Sequence, residues 1–149
     1  MLVLKTIAIG SDHAGFQLKE RLKKFISDKF PNIAIVDFGT HSAESTDYPI
    51  FSRKVAEAVS NGNADIGIIM CGSGNGVNIV ANRIKGIRSI LAWNEEISRL
   101  GKSHNNANVL ALPARFINAE DAEKIVQVFL ESPFEGGRHE KRVFQIDNM

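Results

Sequence analysis

The 149-residue sequence predicts an α/β fold in which parallel strands lie between two layers of helices. Short apolar runs alternate with amphipathic stretches along the whole chain, which is typical of strands joined by helical crossovers. The runs are apolar throughout rather than at every second position, as expected for strands buried on both faces of a sheet. The length suits one domain, residues 1–149, because domains usually have about 100–200 residues. We therefore expect a Rossmann-like three-layer sandwich with a five-stranded parallel sheet and a C-terminal helical tail.

Five apolar runs are the predicted strands, and each is short and mostly aliphatic. They are Thr6–Gly10, Ala34–Phe38, Ile66–Met70, Ser89–Ala92 and Val109–Leu112.

Two of the connections and the segment after the last strand have the spacing of an amphipathic helix. In the two connections, apolar residues recur at intervals that place them on one helix face. These residues are Leu18, Leu22, Phe25 and Ile26 in the first connection, and Val55, Ala58 and Val59 in the second. The segment Ile117–Leu130 repeats the pattern, and Asn118 or Asp121 is the expected cap at its start.

The composition excludes several classes of protein. There are 18 Lys and Arg against 17 Asp and Glu, and this balance argues against nucleic acid or a membrane as partner. No apolar run approaches the ~20 residues of a membrane span. The first ten residues, MLVLKTIAIG, lack the three-part layout of a signal peptide. The single cysteine, Cys71, cannot form an internal disulfide, so we expect a reducing compartment, the cytoplasm.

Residues that can carry chemistry follow the predicted strands. Ligands bind at the carboxyl ends of the strands in an open parallel sheet. Asp12 and His13 follow the first strand, Tyr48 lies in the connection after the second, and Cys71 follows the third. An Asp–His pair in a turn is commonly a helix cap beside a solvated ring, and only a turn would let both side chains face a ligand.

The segment CGSGNG, residues 71–76, is the strongest local signal. Three glycines in five positions between a strand and a helix let the backbone approach an anion closely. The segment is not a P-loop, because no Lys-Ser/Thr follows, and Val77 breaks the dinucleotide fingerprint. Glu95 or Glu96 lies about 20 residues further on, where that fingerprint places its ribose-binding acid. A nucleotide-binding module therefore remains an alternative.

Cys71 closes an apolar run and opens this loop. A lone cysteine is commonly a buried core residue. A thiol at a helix N-terminus, however, feels the positive end of the helix dipole, which favours the thiolate. A thiolate can act as a nucleophile, with His13 or His104 to activate it, or as a general base.

The remaining histidines and a basic cluster complete the candidates. His104 stands beside asparagines that can bind sugar hydroxyls, in a segment interpreted as a loop, whereas His41 has no such neighbours and is interpreted as a surface residue. Arg138 and Arg142 share a face if the tail is helical. With His139 and Lys141 they form either a solvated basic tail or, joined by Arg115, a phosphate clamp. No metal-ligand spacing is present in the sequence, so no metal is expected.

Six motifs occur along the chain and carry a family resemblance. They are DHAG at 12–15, TDYP at 46–49, CGSGNG at 71–76, GIRS at 86–89, SHNNANVL at 103–110 and GGRHEKRV at 136–143. Together they resemble the ribose-5-phosphate isomerase B family, which also contains the galactose-6-phosphate isomerase subunits. The resemblance spans Ile7 to Val143.

The resemblance implies an aldose–ketose isomerase of the pentose phosphate pathway that needs neither metal nor organic cofactor. It implies that D-ribose 5-phosphate and D-ribulose 5-phosphate are interconverted by proton transfer between C1 and C2 through an enediolate. Cys71 would remove the C2 proton, and Ser73 with the loop amides would stabilise the charge on oxygen. The amides are those of Gly72, Gly74, Asn75 and Gly76.

The resemblance also implies roles for the other residues. His104 would assist opening of the furanose ring, Asp12 and Tyr48 would place the sugar, and Asn105 would bind its hydroxyls. The phosphate would be held by His13, Arg115, Arg138 and Arg142. Family members are homodimers, or dimers of dimers, whose sites combine residues of two subunits. We accordingly expect the tail helix, residues 138–149, to pack on a partner subunit.

Two positions separate branches of the family. Ser73 stands where many members have threonine, and both keep the hydroxyl. A second branch lacks the cysteine and uses a glutamate six residues later, where this chain has Val77, so the chain resembles the cysteine branch.

The substrate is indicated by four residues that this chain has together: Asp12, His13, Cys71 and His104. Galactose-6-phosphate isomerase subunits lack several of them. The pentose enzyme is favoured, and an isomerase of allose 6-phosphate or galactose 6-phosphate is the alternative.

Overall fold

Five parallel strands form one sheet in the order β2-β1-β3-β5-β4 in the computed structural model, which describes residues 3–149. The strands are β1 (Thr6–Ser11), β2 (Ala34–Asp37), β3 (Ile66–Cys71), β4 (Ser89–Leu91) and β5 (Val109–Pro113). Every neighbouring pair is parallel. Each strand begins at the predicted residue and ends within one residue of the prediction. The expected parallel sheet is confirmed.

Within residues 3–149, six α-helices and one 3₁₀ turn connect and follow the strands. The turn spans His13–Gly15, and the helices are α1 (Phe16–Lys29), α2 (Tyr48–Ser60), α3 (Asn75–Asn82), α4 (Glu95–Asn105), α5 (Ala119–Glu131) and α6 (Arg138–Asp147). Asn118 caps α5, because its side chain accepts a hydrogen bond from the amide of Asp121 at 2.8 Å.

The sequence interpretation of His104 and Asn105 as loop residues was wrong, because both lie in the last turn of α4. This helix begins at the cap Asn94, whose side chain accepts a hydrogen bond from the amide of Ile97 at 2.9 Å. It has acidic residues in its first turn and basic residues in its last, which suits the helix dipole. Its buried residues are Ser98, Gly101 and Ser103, so the face that packs on the sheet carries little apolar signal.

The helices cover both faces of the sheet, which gives the predicted three layers. Helices α2 and α3 pack on one face through Val55, Val77 and Ala81. Helices α1, α4 and α5 lie on the other face, where Leu22 and Phe129 are fully buried among the strand residues. The helix that follows β1 and the helix that follows β3 thus lie on opposite faces, although β1 and β3 are neighbours. This arrangement opens a crevice at their carboxyl ends.

A buried ion pair fastens β2 to α1. The ammonium group of Lys19, whose side chain is fully buried, lies 2.6 Å from Oδ2 of Asp37 and 2.8 Å from the carboxylate of Glu20. Lys23 also contacts Asp37, at 2.8 Å. Burial alone would raise the pKa of Asp37, but the hydrogen bonds from Lys19 and Lys23 and from the amide of Gly39 outweigh it and lower this pKa.

The tail is helical, as predicted, and α6 packs against α4 of the same chain. Val143 is buried in this contact. Arg88, just before β4, contacts Asp147 of α6 at 2.7 Å and donates hydrogen bonds to the carbonyls of Asn105 and Asn106 at the end of α4. Phe144 remains 67% exposed, so α6 has an uncovered apolar side chain in the single chain. Among residues 3–149, no helix is both long and apolar enough to cross a membrane.

We expect Asp37→Asn to destabilise the fold by about 3 kcal/mol at neutral pH, because it leaves the buried ammonium of Lys19 with a weaker partner. The Asp37 pKa is lower in the folded state than in the unfolded chain. The stabilisation is therefore complete above the unfolded pKa of about 4 and is lost as the pH falls through the folded pKa. The free energies of unfolding of the wild type and Asp37→Asn, measured with urea between pH 7 and pH 3, should therefore differ less as the pH falls.

Asp28→Asn is the matched control, because Asp28 pairs with Lys24 on the same helix while both side chains are exposed. An exposed pair of this kind contributes about 0.5 kcal/mol or less. Equal losses in the two variants, or a loss in Asp37→Asn that does not depend on pH, would contradict the structural role of the buried pair.

Candidate active site

The ends of β1 and β3 bring Asp12 and Cys71 to neighbouring positions in the crevice. Ser11 pairs with Met70 in the sheet, and Asp12 and Cys71 are the next residues along each strand. The carboxylate of Asp12 accepts hydrogen bonds from the amides of Ala14 at 3.0 Å and Gly15 at 3.2 Å, so it caps the 3₁₀ turn. Asp12 and Cys71 are 7% and 5% exposed. Both side chains are therefore held largely out of water.

His13 stands at the mouth of the same crevice. Its Nδ1 atom accepts a hydrogen bond from the amide of Thr46 at 3.1 Å. In a neutral imidazole with an accepting Nδ1, the proton is on Nε2. Nε2 of His13 is then a hydrogen-bond donor, which suits contact with an anion.

The glycine-rich segment 71–76 turns from β3 into α3 as predicted. Gly74 has a φ of +76°, which a residue with a side chain rarely adopts, and a Cβ there would meet Leu91 and the backbone of Leu112. Ser73 and Asn75 are exposed at the turn, and the amide of Asn75 lies 3.3 Å from Oγ of Ser73. The first residues of α3 have amides without a partner inside the helix, and the Ser73 hydroxyl, which accepts a hydrogen bond from the amide of Asn75, lies in the same turn after Cys71.

Tyr48 and Arg115 flank this segment. Tyr48 begins α2, and its ring lies so close to Gly76 that a Cβ on that residue would overlap it. Arg115 follows β5, its amide donates to the carbonyl of Gly72 at 3.0 Å, and its side chain lies over Gly72. We refer to these predicted site residues as the carboxyl-edge group: Asp12, His13, Tyr48, Cys71, Gly72, Ser73, Gly74, Asn75, Gly76 and Arg115.

The other predicted site residues lie at the opposite edge of the sheet. Cys71 pairs with Pro113 at the carboxyl end of β5, whereas α4 leads into the amino end of β5 through residues 106–108. The four residue steps of β5 alone span about 13 Å. His104 and Asn105 at the end of α4, with Arg138 and Arg142 on α6, form what we call the amino-edge group. One chain therefore does not bring the predicted site together.

Two residues contact His104: Glu135, which the sequence did not single out, and His139, which it placed only in the basic cluster of the tail. The rings of His104 and His139 are stacked, with centroids 4.2 Å apart and an angle of 13° between their planes. Glu135 lies 3.8 Å from Nε2 of His104 and 3.6 Å from Nε2 of His139. Burial, and then the neighbouring His104 and Arg138, lower the pKa of His139. The four-residue spacing of Glu135 and His139 was the available signal in the sequence.

The fold and these two groups define an α/β enzyme with the equipment for acid–base chemistry on an anionic substrate. The carboxyl-edge group supplies a thiol, a carboxylate and an anion-binding turn, and the amino-edge group supplies a histidine and guanidinium groups. The sequence profile of the Ribose/Galactose Isomerase family matches residues 7–146. The chain belongs to that family, which confirms the resemblance seen in the sequence.

Individual relatives are similar to this chain over almost all of its length. Ribose-5-phosphate isomerase B of Escherichia coli (strain K12) is 41% identical over 140 residues, which cover 94% of this chain and 93% of the relative. The crystal structure of a ribose 5-phosphate isomerase from Thermotoga maritima has a TM-score of 0.93 at 49% identity and covers 97% of this chain and 99% of its own.

A third relative was solved with a ligand. The structure of ribose-5-phosphate isomerase B from Mycoplasma genitalium with bound ribulose-5-phosphate has a TM-score of 0.91 at 39% identity. The match covers 96% of this chain and 94% of the relative.

The contact between Gly76 and Tyr48 gives a test of the carboxyl-edge geometry. We expect Gly76→Ala to destabilise the protein by about 1–3 kcal/mol, because the new methyl group displaces the Tyr48 ring. In a Tyr48→Ala background the same change has nothing to displace. There it should be neutral or stabilising by up to about 1 kcal/mol, because alanine favours a helix more than glycine does. Urea unfolding of the wild type, the two single variants and the double variant measures the coupling energy between positions 48 and 76. An equal loss of stability from Gly76→Ala in both backgrounds would contradict the contact.

Proposed function

We propose that this protein is an aldose–ketose isomerase that interconverts D-ribose 5-phosphate and D-ribulose 5-phosphate, as in the pentose phosphate pathway. The observation that carries the proposal is the position of Cys71 between the carboxylate of Asp12 and the amides of the glycine-rich turn. The relative solved with bound ribulose-5-phosphate supports the choice of substrate. The free thiol that this role requires suits a reducing compartment, for which we propose the cytoplasm.

In the proposed reaction, the thiolate of Cys71 removes the proton from C2 of the open-chain aldose. The electron pair of that C–H bond forms the C1–C2 double bond, and the carbonyl electrons move to the oxygen on C1. The hydroxyl of Ser73 and the amides of Gly72, Gly74, Asn75 and Gly76 stabilise this oxygen as its charge develops. Transfer of a proton between the two oxygens and return of the carbon proton to C1 give the ketose, so no atom is gained or lost.

The remaining residues bind and open the sugar. The partly exposed imidazole of His104 assists opening of the furanose ring, after which the base can reach C2. Asp12 and Tyr48 place the chain of carbons beside Cys71, and Asn105 binds hydroxyl groups. The phosphate is held by a donor on His13 and by three guanidinium groups, which match phosphate oxygens in geometry and charge. These groups belong to Arg115, Arg138 and Arg142.

The separation of the two groups within one chain supports a homodimer with composite sites, or a dimer of such dimers. A two-fold axis can place the amino-edge group of one subunit over the carboxyl-edge group of the other, and the same operation forms a second site. The exposed Phe144 and Ile146 of α6 provide apolar surface for this contact. Packing of α6 on a partner subunit, predicted from the sequence, is part of this proposal.

The nucleotide-binding alternative is disfavoured by the sheet order. Glu95 and Glu96 begin α4 after the edge strand β4, and β5 separates that strand from the glycine-rich turn after β3. A ribose bound near these acids would lie away from the turn that should hold its phosphate.

The alternative of a six-carbon substrate is decided by comparing kcat/KM for ribose 5-phosphate, allose 6-phosphate and galactose 6-phosphate. We expect the highest kcat/KM for ribose 5-phosphate.

We expect Cys71→Ala to lower kcat for ribose 5-phosphate by about 10²–10⁴-fold, the range that a positioned base contributes, with a small change in KM. The measurement is steady-state formation of ribulose 5-phosphate. Exchange of the C2 proton with deuterated solvent should be lost in parallel. His41→Asn is the control, because His41 is exposed and contacts neither group, and it should retain full activity. Unchanged kcat or unchanged proton exchange in Cys71→Ala would refute the role of the thiol.

Mixing two inactive variants tests the composite site. Cys71→Ala and His104→Ala should each be inactive alone. After equimolar denaturation and refolding, half of the dimers are mixed, and each mixed dimer has one intact site in two. Recovery of about one quarter of wild-type activity is expected. Each variant refolded alone is the control. If both residues acted within one chain, the mixture would recover nothing.

A further inference from the structure

A cluster of three side chains at the amino edge has the composition of a transition-metal site. His104, Glu135 and His139 each offer one ligand atom, and these atoms lie within 4.8 Å of one another. Two imidazoles and a carboxylate are ligands that zinc commonly takes, with bonds of about 2.0–2.2 Å. Ligand atoms around one tetrahedral ion are then about 3.4 Å apart. The two contacts of Glu135, at 3.6 and 3.8 Å, are already close to this value.

A backbone hydrogen bond holds together the two segments that carry the cluster. The amide of Glu135 donates a hydrogen bond to the carbonyl of Ser103 at 3.0 Å, which fixes the segment before α6 beside the last turn of α4. His139 is 6% exposed, so its ring is held in place by the residues packed around it. In the single chain Glu135 is half exposed, so an ion can reach the cluster from solvent.

We infer that His104, Glu135 and His139 form a binding site for a divalent transition metal ion of the zinc class, and that the ion inhibits the enzyme by withdrawing His104 from the substrate. The binding site stands on the geometry alone, whereas the inhibition rests on the proposed function. The proposed reaction uses no metal, so the ion acts here as a ligand that competes with the reaction and not as a cofactor.

The geometry also selects the class of ion. The two rings are nearly parallel, so at least one must turn about its own bonds before both Nε2 lone pairs point at a common ion. Arg99, Arg138 and Arg142 lie near enough to act on the cluster by charge, which opposes any cation. Only an ion that forms strong bonds to imidazole can offset both the rotation of a ring and the repulsion by the arginines. Zinc, copper and nickel form such bonds, whereas magnesium and calcium prefer oxygen ligands.

Competition with a chromophoric chelator would test the site on the full-length protein with Zn²⁺ alone. We expect one Zn²⁺ per chain in the wild type and at least about tenfold weaker binding in Glu135→Gln and His139→Gln, because each removes a direct ligand. Glu135→Gln changes an exposed side chain, so its fold should be intact. His41→Asn and Cys71→Ser, each of which removes a different metal-binding side chain, should bind Zn²⁺ as the wild type does.

Substitution with Co²⁺ distinguishes the site from the thiol. The proposed site should give the visible bands of a cobalt ion bound by nitrogen and oxygen, without the thiolate charge-transfer band. Failure to reach one ion per chain would overturn the inference. It would equally be overturned by binding that Glu135→Gln and His139→Gln leave unchanged, or by binding that Cys71→Ser abolishes.

The activity of the same samples tests the inhibition separately. Zn²⁺ should inhibit the conversion of ribose 5-phosphate at the concentrations at which it binds, and a chelator should restore the rate. Glu135→Gln should need at least about tenfold more Zn²⁺ for the same inhibition. Stoichiometric binding without inhibition would overturn the inhibitory role, although the metal-binding site itself would still be supported. Absence of isomerase activity in the metal-free protein would refute the proposed function, and the result of the binding experiment would not be affected.

Discussion

The direction of the chain in a parallel sheet is the constraint on which the rest of this structure depends. Each helix that joins two parallel strands must run back against them, so residues that end a strand and residues that end a helix lie at opposite edges of the sheet. Cys71 ends β3 and His104 lies in the last turn of α4. No rearrangement of loops within one chain can join them while the sheet remains intact. The proposed composite site is thus a consequence of topology, and dimerisation is the simplest way to satisfy it.

The carboxyl edge is in turn stiffened by interactions that begin well away from Cys71. The buried contact of Lys19 with Asp37 fixes the end of β2, and Asp37 also accepts a hydrogen bond from the amide of Gly39 at 2.9 Å. The carbonyl of Gly39 accepts a hydrogen bond from Ser11 at 2.7 Å, and Ser11 immediately precedes Asp12. A buried charge on α1 is therefore linked through the backbone to the carboxylate that lies beside Cys71.

The sequence predicted those parts of the molecule that depend on local pattern. All five strands could be predicted from short apolar runs. Burial on both faces explains the runs of β1, β3 and β5, whereas the residues of the edge strand β2 alternate between exposed and partly buried. Helix α4 could not, because small and polar residues such as Ser98 and Ser103 line its buried side and leave no apolar periodicity. Arg88 was recognised only as part of a motif, since its contacts with the end of α4 and with Asp147 join segments that are distant in the chain.

The site residues show the same division between local and long-range information. The turn that carries Asp12 and the glycine-rich turn after Cys71 could be predicted from strand ends. The stacking of His139 on His104 could not, because it depends on how α6 packs against α4. To predict that the two groups lie at opposite edges, one must know the direction of α4, and this helix was not predicted from the sequence.

This separation also bears on the proposed phosphate site, in which a nearly neutral protein would gather several guanidinium groups around one phosphate. Arg115 lies at the carboxyl edge, whereas Arg138 and Arg142 lie on α6 at the amino edge, so one chain does not force these like charges together. In the proposed dimer they converge across the interface on the substrate. Their mutual repulsion is then strongest in the empty site and is offset when a phosphate dianion binds between them. The net charge of +1 is a sum over the chain and conceals this arrangement. Binding of the phosphate and association of the subunits should accordingly reinforce each other, because the phosphate offsets the repulsion that association creates, and association brings more guanidinium groups to the phosphate.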